Sequence, residues 1–155
     1  MSEHLDRQDQ RPERRGASAS DGGRAHVLIV DDHGPSRDIY AGYCDLFDHT
    51  SCAVDGGAAA VAALRRERFD VVVMNVHMRA DALETLRAIR ALPGPASATP
   101  VIGLTAVGRG DEAQRWLGAG LAGVLPKPLT AARLFATLTS LGEADAGARS
   151  WAAPR

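Results

Sequence analysis

Lysine is nearly missing from this chain. Of 18 basic residues, 17 are arginine and one, Lys127, is lysine. An ammonium is a compact point charge and a guanidinium a wide planar fork, so a solitary lysine is either chance or the mark of a small site where only a point charge fits. Cysteine is scarce as well: Cys44 and Cys52 have no CxxC spacing, which excludes a disulfide framework and a zinc site. Charge of one sign is not in excess either, because the formal net charge is −1 and the arginines are scattered. That excludes a nucleic-acid binder or a membrane-surface protein working through bulk electrostatics. No apolar run approaches the ~20 residues that span a bilayer. The opening MSEHLDRQDQ lacks the apolar stretch of a secretory signal. The expected setting is the cytoplasm, with free thiols.

What is present is enough for a core. The chain has 155 residues, 45% apolar and 24% charged, the proportions of one folded domain. Residues 1–25 hold five acids, five arginines and no β-branched side chain, so they read as a tail unable to offset its ordering entropy. Residues 142–155 read as a second, shorter tail whose only large apolar group is Trp151. The folded part is expected at 26–141.

Within it, short β-branched runs alternate with helical periodicity. VLIVDD (27–32), a strand near Ser51–Val54, DVVVMN (70–75), PVIGLTA (100–106) and AGVLP (122–126) read as strands, buried on both faces where they are apolar throughout. Pro35 suits the first turn of a helix carrying Ile39, Tyr40, Tyr43, Leu46 and Phe47 at helical spacing. Further helices are expected at Gly57–Glu67 facing inward through Val61 and Leu64, around Leu83, Leu86 and Ile89, at Gly110–Leu117, and at Thr130–Leu141. Leu134, Leu138 and Leu141 share one face of the last, and Thr130 is its N-cap. Strict alternation of five strands and five helices implies a doubly wound α/β fold with a parallel sheet covered on both faces.

In such folds ligands sit beyond the carboxyl ends of the strands. Collected there are Asp31 and Asp32, Asn75, Thr105 with Ala106, and Lys127. Singly, acids and threonines at strand ends cap the following helices. Four strands delivering an acid pair, an amide, a hydroxyl and the one lysine to a common edge make a polar constellation instead.

VLIVDD, DVVVMNVHM, PVIGLTA and LPKP, in this order and spacing, resemble the receiver domain of two-component response regulators. RAIRALPG followed by TPVIGLTA is similar to receivers attached to hybrid histidine kinases. The resemblance covers residues 26–141 and implies the flavodoxin-like fold, five parallel strands in the order 2-1-3-4-5. It implies that Asp31 and Asp32 hold Mg²⁺, that Thr105 binds phosphoryl oxygens, and that Lys127 pairs with the acceptor or its phosphoryl group. It also implies a cis peptide bond before Pro128.

Several positions depart from that family. Where it has an aspartate that takes a phosphoryl group from a kinase histidine, this chain has Asn75. A carboxylate oxygen attacks phosphorus in line; a neutral carboxamide, its nitrogen lone pair delocalised, cannot. The acids also repel less, so Mg²⁺ is expected to bind weakly and not to be required, with Lys127 and Asn75 satisfying the acid pair and the Asn75 amide donating to Asp32. After Asn75 the family's Met-Pro-x-Met-Asp-Gly-x-Glu becomes Met78-Arg79-Ala80-Asp81-Ala82-Leu83-Glu84, and Val124 stands where a swinging Tyr or Phe is common. His33 and His77 read as polar loop residues, and Cys44 and Cys52 as small buried groups.

The expected function is a receiver-like, non-enzymatic module that binds a histidine kinase, a phosphotransferase or another receiver, or pairs as a homodimer. Only 14 residues follow Leu141 in this sequence, so the expected output is a protein–protein contact and not a DNA-binding domain. Two readings compete with this one. A working phosphorelay receiver would need another acceptor, and a phosphatase using Asp31 would need the Asp-x-Asp spacing and cap that this sequence lacks.

Overall fold

The computed structural model describes residues 23–79, 81–106 and 110–144. Five strands form one parallel sheet: β1 (His26–Val30), β2 (Thr50–Val54), β3 (Val71–Asn75), β4 (Val101–Thr105) and β5 (Gly123–Pro126). Their order is β2-β1-β3-β4-β5, as the family resemblance implied. The helices are α1 (Gly34–Leu46), α2 (Gly57–Arg66), α3 (Ala82–Arg90), α4 (Gly110–Ala119) and α5 (Ala131–Ala144), with a 3-10 turn at Gly94–Ala98. Strand β1 stops at Val30, two residues short of the end of VLIVDD, because Asp31 and Asp32 leave the ladder to line the edge, whereas β3 and β5 end where the sequence placed them. The tails read at 1–25 and 142–155 lie mostly outside the described residues; at their inner ends Ala25 is buried and α5 continues to Ala144.

Side-chain alternation along the strands builds two cores. Leu28, Val30, Val72 and Met74 face α2 and α3 through Ala60, Leu64, Leu86 and Ile89. Val27, Ile29, Val71 and Val73 face α1 and α5 through Tyr40, Cys44, Leu134 and Leu138. Thus α1 and α5 cover one face, and α2 and α3 the other. Central β1, β3 and β4 are buried almost throughout, which is why their sequences show no polar alternation.

Helix ends follow local chemistry. Asp81 caps α3, its Oδ1 accepting from the Leu83 N–H at 2.9 Å, and Thr130 Oγ1 accepts from the Arg133 N–H at 3.2 Å, as an N-cap should. The apolar spacing of α1 does not all turn inward: Ile39 and Leu46 are 51% and 68% exposed. The helix buries Tyr40 and Cys44, with Ala41 and Tyr43 packed beside them. Cys52, on β2, is only half-buried.

A cavity of about 550 Å³ opens at the amino ends of β3 and β4, lined by Leu64, Arg66, Phe69, Pro93 and Pro100. It lies at the edge opposite the polar constellation.

Candidate functional site

Between β1 and β3 the strand order reverses, so their carboxyl ends bound the crevice where such folds bind ligands. Asp31 directly follows β1 and is 1% exposed. Its Oδ1 accepts the His33 N–H at 2.9 Å and the Asn75 Nδ2–H at 3.4 Å. Its Oδ2 is buried with no hydrogen-bond partner among the described residues. The Asp31 carbonyl accepts from Arg37 Nη1 at 2.8 Å, which ties the loop to α1. Asp32 points outward and accepts the Arg79 N–H at 3.2 Å.

Asn75 ends β3 and is buried. Its Oδ1 accepts the His77 N–H at 3.0 Å while its Nδ2 serves Asp31, so the amide bridges the loops after β1 and β3. The expected donation to Asp32 is therefore corrected: the partner is Asp31, because Asp32 faces solvent.

Thr105 ends β4 with no exposure. Its hydroxyl lies 2.9 Å from His77 Nε2 and donates to Glu112 Oε1 at 3.4 Å. His77 Nε2 is 3.3 Å from the same carboxylate oxygen. One arrangement satisfies all three groups: the imidazole carries its proton on Nε2 and the carboxylate only accepts.

Lys127 follows β5, and its N–H donates to the Thr105 carbonyl at 2.8 Å. The peptide bond to Pro128 is cis, as the resemblance implied. The ammonium makes no ion pair among the described residues. The expectation that Lys127 and Asn75 together satisfy the acid pair is thus corrected, since one weak amide contact is all Asp31 receives from them. The backbone of Lys127 fixes the strand end, and the residue is half-buried.

The sequence therefore named Asp31, Asp32, Asn75, Thr105 and Lys127, and the fold brings all five to one edge. It missed Glu112 and the use of His77. An acid in the first turn of a helix reads as a partner for the helix dipole, and nothing in the sequence pairs it with Thr105.

The acid pair suits a divalent cation. A buried carboxylate oxygen without a partner is what a hard cation satisfies, and Asp32 offers a second carboxylate beside it. No group of three or more His, Cys, Asp or Glu side chains is placed to hold a metal among the described residues, so the protein's contribution rests on two acids.

A family model described as the response regulator receiver domain matches residues 27–139. Sensor histidine kinase AruS of Pseudomonas aeruginosa is 33% identical over 118 residues, 75% of this chain and 12% of that protein. Sensor histidine kinase RcsC of Escherichia coli is 31% identical over 127 residues, 81% of this chain and 13% of that protein. The chain thus spans only about an eighth of the length of these two curated relatives. Among solved structures, the chemotaxis response regulator CheY4 of Vibrio cholerae superposes with a TM-score of 0.70 at 27% identity, over 76% of this chain and 98% of that one. The receiver domain of sensor histidine kinase PA1611 from Pseudomonas aeruginosa, described with a magnesium ion coordinated in its active-site cleft, gives a TM-score of 0.69 at 26% identity. It covers 77% of this chain and 98% of that one. Fold, strand-end constellation and relatives agree: the chain belongs to the response regulator receiver domain family of two-component signalling.

Proposed function

We propose that this chain is a receiver-like module that signals by docking to another protein and does not form the acyl phosphate typical of its family. The observation that carries this reading is Asn75, which stands where the family's acceptor aspartate stands. Its oxygen is uncharged and already accepts from His77, and its nitrogen is committed to Asp31. Neither atom is a nucleophile toward phosphorus. Val124, half-buried on β5, supplies no aromatic ring to swing between positions, and the Met78–Glu84 loop lacks the family's Pro and Gly.

Asp31 and Asp32 are the residues that would hold Mg²⁺, which when bound supplies positive charge to the buried Asp31 oxygen. With two carboxylates in place of three, its affinity is low and docking does not depend on it.

The partners of this reading are a histidine kinase, a phosphotransferase or another receiver, met through α1 or through the α4–β5–α5 face. Exposed Ile39 and Leu46 on α1 and the 47%-exposed Phe135 on α5 favour a protein partner over nucleic acid. Phe135 packs on Phe47 with ring centroids 4.7 Å apart, so an apolar strip runs from α1 to α5. No helix among the described residues is long and apolar enough to cross a membrane.

Intact-mass measurement after incubation with acetyl phosphate and Mg²⁺ tests the reading. The expected spectrum shows the unmodified mass alone, whereas a stable phosphoryl adduct would favour a working relay receiver with another acceptor.

A further inference from the structure

Glu112 sits in the first turn of α4, next to Asp111. Both acids complement the positive end of the helix dipole. Glu112 alone reaches back to the sheet edge, where its Oε1 lies 3.4 Å from Thr105 Oγ1 and 3.3 Å from His77 Nε2. Thr105 is wholly buried, while the Glu112 and His77 side chains are 22% and 44% exposed. A charged acceptor therefore meets a buried hydroxyl in a partly desolvated place, where such a bond is stronger than on open surface.

We propose that the Glu112 carboxylate is an internal anion for the Thr105 switch pocket, taking up the hydroxyl and the His77 ring and pinning α4 to the β3–β4 edge without a phosphoryl group. The inference rests on the docking reading and deepens it. A receiver that takes no phosphoryl group still needs its α4–β5–α5 face in a defined arrangement, and Glu112 supplies the negative charge that fixes it. His77 completes the latch: its backbone N–H holds Asn75 while its ring holds Thr105 and Glu112, so one residue couples the β3 end to α4. Both ends of the latch are the chain's own, so α4 holds this position constitutively.

Amide hydrogen exchange on the full chain is the direct test, comparing Glu112→Ala with Asp111→Ala. The two substitutions change charge and helix dipole alike, and alanine keeps the helix. Amides in the first turns of α4 should exchange about tenfold faster or more in Glu112→Ala, the size expected on losing a hydrogen bond to a charged group, and change little in Asp111→Ala. In a Thr105→Val background the Glu112→Ala effect should shrink, because part of the latch is already gone. Equal exchange in the two alanine variants overturns the proposal.

A second readout separates an anion surrogate from a mere anchor. In an Asn75→Asp background with Mg²⁺, beryllium trifluoride competes with Glu112 for Thr105, so adding Glu112→Ala should tighten its binding about tenfold. Absence of any gain, whether affinity is equal or neither variant binds, means that Glu112 does not hold the anion's place. A stable phosphoryl adduct on the natural chain would instead sink the docking reading and leave the exchange rates untouched, so the two failures are distinguishable.

Discussion

Asp31 shows how much one residue can demand of its surroundings. A carboxylate that is 1% exposed has one oxygen served by two N–H groups and the other by nothing among the described residues. An unsatisfied buried acceptor costs about 1–3 kcal/mol, more when charged. A cation relieves that cost, yet only two acids are placed to hold it. Mg²⁺ titration followed by Trp116 or Trp151 fluorescence, or by calorimetry, should give a dissociation constant weaker than about 1 mM, toward the loose end of oxygen-ligated sites. Asp31→Asn should abolish the response, and sub-millimolar binding would contradict the two-acid account. A second residue-scale expectation concerns Cys44, whose thiol is pushed by burial up to about 12 from an ordinary 9.0. Its folded form keeps the proton while the unfolded chain releases it, so stability falls as pH rises from about 9 toward 12, at up to about 1.4 kcal/mol per pH unit. Urea melts of the natural chain and Cys44→Ala across that range check it. The variant's slope should be shallower, and parallel slopes would be contrary.

At the scale of elements, packing decides what periodicity could not. Gly57, the first residue of α2, lies so close to α3 that a Cβ there would overlap Thr85 Oγ1. Gly57→Ala should therefore destabilise by about 1–3 kcal/mol, the usual cost of overpacking. Adding Thr85→Ala should recover much of that by removing the clashing hydroxyl. Thermal melts of the single and double variants give the answer, and additive losses would show that the two helices are not in conflict there. The strands were legible because β1, β3 and β4 are buried on both faces, which imposes unbroken apolar runs ending at the polar edge. Helix α1 was legible in position but not in orientation. Ile39 and Leu46 share the apolar periodicity with Tyr40, yet it is Tyr40 and Cys44 that the sheet face buries. Glu112 and His77 were illegible for a different reason. Their meeting depends on the loop path after β3 and the placing of α4, which no local pattern encodes, whereas Asp31, Asn75, Thr105 and Lys127 are fixed by strand ends alone. Composition singled out Lys127 but not its side-chain contacts, since β5 lies three strands from β1 in the sheet and a flexible four-carbon stem can take many paths there.

For the whole molecule, the carboxyl edge of the sheet ties Asn75, His77, Thr105 and Glu112 into one chain of contacts, beside an Asp31 oxygen without a partner among the described residues. Asn75 links the loops after β1 and β3, and His77 and Glu112 link β3, β4 and α4, so the carboxyl edge is cross-braced. On the helices α1 and α5, which cover one face of the sheet, Ile39, Leu46 and Phe135 stay exposed. Bracing at one edge and exposed apolar surface across two helices suit a domain that offers a fixed shape to a partner. The decisive assay is phosphotransfer from a phosphorylated histidine donor to the natural chain, run beside Asn75→Asp with and without Mg²⁺. Docking without chemistry requires that the natural chain stay unlabelled under every condition. Stable phosphoryl label on the protein with Asn75 intact would contradict it.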